Sequence, residues 1–230
     1  MTGRVLVTGA SRGIGAAVAR ILLDRGGAVV GVGRDARALA QGRGLQPLVA
    51  DLSQPGVADS VVAEAIARLG GLDGLVCAAG QVVYEAAPDI PEASFRRLWE
   101  LNFLAPVLLT QAFARQVPTG SVVLVSSTLS IRPAPRTLAY AASKAALDAA
   151  TRGLAQELAP RIRVNAVLPG VVDTDMVRSA RSPEELASLA QIHPLGRLGT
   201  ADEVAALIVQ ILDTPWMTGS QVVLDGGLSV

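Results

Sequence analysis

The chain holds one lysine, Lys144, against 19 arginines, and that lysine falls four residues after Tyr140, one of only two tyrosines in 230 residues. Chance places the sole lysine there about once in a hundred sequences of this composition. On a helix, residues four apart project from one face about a turn apart. A tyrosine at its ordinary pKa of about 10 is a poor base at neutral pH. A neighbouring ammonium favours the phenolate, so the pair has the makings of a proton-transfer device. Arginine would not substitute, because it keeps its proton and spreads its charge over a planar fork. Ser126 and Ser127 stand 14 and 13 residues ahead of Tyr140. Either hydroxyl could hold a reacting oxygen in place. An ordinary exposed helix pair would show the same Tyr–Lys spacing; the composition argues against it.

A second constellation lies near the N-terminus, in Thr8-Gly9-Ala10-Ser11-Arg12-Gly13-Ile14-Gly15. A strand-like run enters it and an alanine-rich helical run leaves it. Glycine at 9 permits a tight turn, glycine at 13 lets a pyrophosphate approach the backbone, and glycine at 15 lets helix and strand pack closely. The helix start offers free N–H groups and partial positive charge to an anion. The competing reading is a plain tight turn in a glycine-rich chain.

These residues need a scaffold, and its elements are legible. Strand-like runs occupy residues 4–8, 28–33, 46–50, 74–77, 121–126, 163–167 and 221–224. Most are continuously apolar, Val122-Val123-Leu124-Val125 being typical, as expected of parallel strands covered on both faces. Helical periodicity fills 14–25, 55–69, 91–116, 138–158 and 201–212, with a kink or a short break expected at Pro106. Alternating β and α units predict a doubly wound α/β fold, a seven-stranded parallel sheet with helices on both faces. Residues 171–199 break the rhythm, with Pro183 at an expected first helical turn; an excursion of that size reads as a substrate lid. One domain over 1–230 is expected.

The loop spacing is Gly-x3-Gly-x-Gly, and with Thr8 ahead of it the chain resembles the short-chain dehydrogenase/reductase family, close to its 3-oxoacyl-carrier-protein reductases. The likeness continues in Asp51-Leu52, Cys77-Ala78-Ala79-Gly80, Asn102, Ser127, Tyr140-x3-Lys144, Pro169-Gly170, Thr174 and Asp225-Gly226-Gly227. It therefore spans residues 8 to 227. It implies a Rossmann fold, a nicotinamide cofactor and catalysis by Asn102, Ser127, Tyr140 and Lys144. Tyr140 would exchange a proton with the substrate oxygen, Ser127 would position that oxygen, and Lys144 would also hold the nicotinamide ribose. Asn102 would anchor a water linking Lys144 to solvent. The spacing of 13 selects Ser127 over Ser126. The cofactor set implied is Gly9, Ser11, Arg12, Gly13, Ile14, Gly15, Arg34, Asp51, Leu52, Ala78, Ala79, Gly80, Tyr140, Lys144, Pro169, Gly170, Val172 and Thr174. Family members commonly carry asparagine where Cys77 stands, and the cysteine is expected to pack as a small apolar residue.

NAD-preferring members carry an acid where this chain has Gly33. Arg34 follows, and Arg12 lies in the loop, so NADP(H) is favoured by charge complementarity, with NAD(H) the alternative. Asp35 tempers this, since it could neutralise Arg34 or cap a helix. The substrate walls are expected from 81–84, 129–138 and 171–199, whose Val82, Val83, Tyr84, Leu129, Ile131, Pro133, Pro135, Met176 and Val177 suit a mainly apolar carbonyl or alcohol. Arg132, Arg136, Arg178 and Arg181 could bind an acidic group, although solvated loop arginines are commoner. A single cation in 115–120 speaks against an acidic carrier protein as partner. His193, the only histidine, reads as structural.

Twenty basic residues balance 20 acidic ones, pI near 6.6, leaving no electrostatic footprint for nucleic acid. One cysteine excludes an internal disulfide, and no apolar run has the length of a membrane span. A strand begins almost at Met1, so no signal peptide is expected and the chain reads as cytoplasmic. No metal is expected. The alanines at 141, 142, 145, 146, 149 and 150 permit close helix approach, and the family pairs its fourth and fifth helices, which implies a homotetramer. A nucleotide sensor without chemistry is the reading from another functional class; the complete Asn102, Ser127, Tyr140 and Lys144 set argues against it.

Overall fold

The computed structural model describes residues 3–179 and 181–230. Its seven strands are β1 (Arg4–Thr8), β2 (Ala28–Gly33), β3 (Gln46–Val49), β4 (Gly74–Cys77), β5 (Gly120–Val125), β6 (Ile162–Pro169) and β7 (Gln221–Leu224), all parallel, in the order 3-2-1-4-5-6-7. Helices α1 (Gly13–Asp24) and α9 (Ala201–Leu212) cover one face. Helices α3 (Val57–Leu69), α5 (Ala105–Gln116) and α6 (Leu138–Leu158) cover the other. Because side chains alternate across a strand, Val5 and Val7 join the α1–α9 core while Leu6 joins the opposite one. Both layers bury apolar residues, which is why the strands show no polar alternation. The chain reverses its winding between β1 and β4, and a doubly wound sheet opens a crevice at the carboxyl ends of such a pair.

The structure corrects the expected elements in three places. The single helix at 91–116 is α4 (Glu92–Trp99) and α5 joined by a π turn over Glu100–Leu104, where the Ala105 amide bonds the Glu100 carbonyl. Pro106 lacks the N–H that would close an α turn onto Asn102, so the wider turn accommodates it without a sharp break. A short helix α2 (Ala36–Ala40), too brief to show a period, follows β2; the Asp35 carboxylate caps it by accepting from the Arg37 and Ala38 amides. The excursion after β6 contains α7 (Asp175–Arg178) and α8 (Pro183–Gln191), the latter begun by Pro183 and a Ser182–Glu185 capping box.

That excursion is tied down at both ends. Val172 pairs with Gly199 in an isolated bridge. His193 is buried, its Nδ1 2.7 Å from the Leu189 carbonyl and its Nε2 accepting from the Val171 amide. Those partners give the ring a structural role. Asp225 accepts from the Gly227 and Ser229 amides, and a Cβ at Gly227 would lie 2.8 Å from Pro194. The closing Asp-Gly-Gly motif thus forms the seat of the excursion.

Candidate active site

Two adjoining cavities open at the β1–β4 switch point. The first, about 280 Å3, is lined by Gly9, Ser11, Arg12, Gly13, Ile14 and Gly15 from the loop, Arg34 after β2, Asp51 and Leu52 after β3, Ala78, Ala79 and Gly80 after β4, and Thr174. Backbone sterics dictate its shape. Gly9 has φ +68° and sits so close to β4 that a Cβ would lie 2.8 Å from the Ala79 nitrogen. A Cβ on Gly15 would overlap the Gly9 carbonyl oxygen, so the third glycine serves the loop's own closure. Thr8 Oγ1 accepts from the Ala79 amide at 3.1 Å and locks the loop to β4. No side chain caps the α1 N-terminus, which leaves its amides for an anion. Asp51 accepts from both the amide and the hydroxyl of Ser53, bonds that hold its pKa below the usual carboxylate range, with a minor contribution from Arg34.

The second cavity, about 580 Å3, is lined by Ser127, Tyr140 and Lys144 together with Pro169, Gly170 and Val172. Ile14, Ala78, Gly80 and Thr174 border both. Tyr140 and Lys144 sit in the first turns of α6. Ser127 lies beyond β5, where it caps a short 3-10 turn and accepts from the Leu129 amide at 3.2 Å. It also lies near enough to the Tyr140 phenol to pull that group's pKa down. Ser126, the competitor, donates to the Lys144 carbonyl and is spent on holding α6. Of the apolar residues expected here, Val82, Tyr84, Leu129, Pro133, Pro135, Met176 and Val177 do line the cavity; Val83 and Ile131 do not.

Lys144 is 4% exposed, and its ammonium donates to the Val125 carbonyl at 2.8 Å. Burial lowers its pKa to about 8, against a smaller opposing pull from Asp148 one turn on. The ammonium lies 5.9 Å from the Tyr140 ring centroid, and burial raises the phenol to about 12 despite the pull from Ser127. Desolvation is the largest cause of that shift, and Tyr140 holds its proton at neutral pH.

Asn102 borders neither cavity. It is fully buried in the π turn, with Oδ1 accepting from the Gln81 amide at 2.9 Å and Nδ2 donating to the Gln81 carbonyl at 2.9 Å and Ser143 Oγ at 3.2 Å. Its side chain is therefore committed to the chain's own groups and holds the loop after β4 against α6. Cys77 is buried, and that burial pushes its thiol up to about 12, so it packs as an apolar residue. Sequence reasoning placed Gln81 in the substrate wall but missed its bonds to Asn102 and the Val125 carbonyl that holds Lys144, which act through backbone atoms and leave no side-chain signature.

A cradle shaped by glycines beside a Ser–Tyr–Lys cluster, on a parallel sheet of this order, is an arrangement that suits a nucleotide-dependent oxidoreductase. Residues 9–229 match the family model described as Enoyl-(Acyl carrier protein) reductase. An uncharacterized oxidoreductase of Methylorubrum extorquens is 36% identical over 99% of this chain and 98% of its own length. The 3-oxoacyl-[acyl-carrier-protein] reductase of Salmonella typhimurium is 32% identical over 97% and 96%. A solved Serratia marcescens short-chain dehydrogenase/reductase, a double mutant, superposes with a TM-score of 0.92 at 30% identity, covering 98% of this chain and 97% of that one. The chain belongs to the short-chain dehydrogenase/reductase family, whose members are NAD(P)-dependent oxidoreductases.

Proposed function

We propose that the chain is an NADP-dependent carbonyl reductase or secondary-alcohol dehydrogenase acting on a mainly apolar small molecule, with Tyr140 as acid and base. The carrying observation is the Ser127–Tyr140–Lys144 cluster bordering the glycine cradle. The cradle fits a dinucleotide: added Cβ atoms at Gly9 and Gly15 would collide with its floor, and the α1 amides face an anion. Gly9 to Gly15 and Arg34 would hold the adenosine and phosphates with Asp51 and Leu52. Lys144, Pro169, Gly170, Val172 and Thr174 would hold the nicotinamide half. When bound, the nicotinamide supplies or accepts the hydride.

The residues handle the proton. Tyr140, protonated at neutral pH, donates its phenolic proton to the carbonyl oxygen of the substrate and takes it back in the reverse direction. Ser127 turns its hydroxyl toward the same oxygen and fixes its position. Lys144 stabilises the phenolate that remains. Asn102 is a positioning residue; its side chain is occupied, so only its main chain is left to hold a relay water. Residues 171–199 act as the lid.

Arg12 and Arg34 are exposed, and among the described residues neither side chain makes a hydrogen bond or salt bridge, while Asp35 is spent on capping α2. That supports the NADP preference, since two cations face a 2′-phosphate with no acid in the first slot. An oligomer is supported by Phe95, Trp99 and Leu108, large apolar side chains exposed on α4 and α5, and by exposed Ala142, Ala145 and Ala149 on α6. The proposed assembly is a cytoplasmic homotetramer without nucleic-acid or membrane partners. Among the described residues no helix is long and apolar enough to cross a membrane.

The test is an NADPH-oxidation screen over ketones, keto esters and quinones. Turnover that Tyr140→Phe reduces at least a hundredfold is expected; unchanged turnover in that variant overturns the mechanism. A kcat/KM with NADH exceeding that with NADPH transfers the preference to NAD.

A further inference from the structure

We infer that the substrate carries a carboxylate, bound by Arg181. The inference rests on the carbonyl-reductase reading and deepens it. The larger cavity is apolar in most of its lining, yet its charged lining residues are Arg132, Lys144 and Arg181, with no aspartate or glutamate among them. Lys144 belongs to the proton chemistry. The remaining two arginines give the substrate end of the cavity an uncompensated positive charge, which a neutral ligand would leave unanswered.

Four loop arginines surround this region, and the structure sorts them. Arg178 is held by Asp173 in a two-point ion pair, its Nε 2.7 Å from Oδ1. Arg136 donates to the Tyr84 carbonyl at 2.9 Å and lies outside the cavity wall. Arg132 donates to the Leu228 carbonyl, a neutral partner that leaves its charge unpaired. Arg181 stacks its guanidinium on the Tyr84 ring, 4.5 Å from the centroid. Its Nη1 is buried and, among the described residues, has no hydrogen-bond partner. Asp173 is paired with Arg178, Asp225 accepts from the turn amides, and Glu85, beside Tyr84, accepts from Ser94 through Oε1.

Arg181 lines the cavity, and its stacked guanidinium is the charge there that no carboxylate of the lining answers. Stacking on Tyr84 holds the fork flat, as bidentate recognition of a planar carboxylate requires. The surrounding Val82, Leu129, Leu189 and Ile192 accept the apolar carbon chain between ketone and acid. A keto acid with its ketone at Tyr140 and its carboxylate at Arg181 satisfies both ends of this cavity.

The test uses straight-chain keto acids with one to six methylenes between the two groups, each beside its methyl ester, with NADPH as reductant. At least one acid should have a KM about tenfold or more below its ester, the range expected of a charge-assisted hydrogen bond. Arg181→Met should raise that acid's KM about tenfold and leave the ester's within about twofold. Equal KM values for acid and ester, or a parallel loss for both in the variant, overturn the proposal. Calorimetric titration of the same pairs into protein saturated with NADP+ separates the two levels. Arg181-dependent binding of the acid without turnover upholds the carboxylate site and refutes the proposed reaction. Turnover of esters with no binding preference for acids does the reverse.

Discussion

Replacing Lys144 by methionine should abolish turnover and alter the pH dependence of folding in a defined way. The lysine is 4% exposed and its pKa falls from 10.5 to about 8, with burial the largest cause. Below pH 8 it is charged in both folded and unfolded chains, and the folded state bears the full cost of the buried charge. Between pH 8 and 10.5 the folded chain releases the proton while the unfolded chain retains it, so stability rises with pH across that window. At about 1.4 kcal/mol per pH unit, the gain is about 3 kcal/mol. Tyr140 and Cys77, both raised to about 12, act oppositely, since the unfolded chain loses those protons first. Both remain in the variant, so the comparison of wild type with Lys144→Met isolates the lysine together with its coupling to Cys77. The assay is urea unfolding of both proteins without nucleotide at constant ionic strength from pH 7 to 10.5. The wild-type advantage over the variant should grow by about 3 kcal/mol between pH 8 and 10.5. A difference that stays flat, or shrinks, would refute a lysine buried as a charge.

Ser127→Ala should lower kcat about a hundredfold with little change in KM, because the hydroxyl serves the reacting oxygen and not overall binding; steady-state kinetics on the best substrate checks this. Arg12→Ala with Arg34→Ala should weaken NADPH binding about tenfold or more and leave NADH unaffected, as nucleotide fluorescence titration would read. Asn102→Leu strands the Gln81 amide and carbonyl and the Ser143 hydroxyl, so its melting temperature should drop by an amount equivalent to at least about 2 kcal/mol. Light scattering should return four times the 23.6 kDa chain mass; a monomer mass excludes the assembly.

The sheet was readable because strands buried on both faces must be continuously apolar, as Val122 to Val125 and Leu75-Val76-Cys77 are. The glycine cradle was readable because only glycine fits where Gly9 approaches β4. Other features depend on contacts the sequence does not display. Pro106 announced a disturbance, but its form, a π turn presenting Asn102 to Gln81, depends on how α4 and α5 pack. The Tyr–Lys spacing was visible, whereas the direction of the Tyr140 shift depends on desolvation that only the folded surroundings impose. The four loop arginines were equivalent on paper. Their separation into paired, structural and unsatisfied members follows from Asp173, Tyr84 and Leu228 lying where the fold puts them.

The buried position of the only lysine has a practical side. Apart from the α-amino group, this protein has no primary amine on its surface, so acylating reagents, amine cross-linkers and lysine-modifying enzymes find nothing to attack while it is folded. Every conjugate formed on a side-chain amine must have passed through a state in which α6 exposed Lys144. The rate of such labelling is therefore a built-in clock for opening of the site, read by mass spectrometry at a single residue.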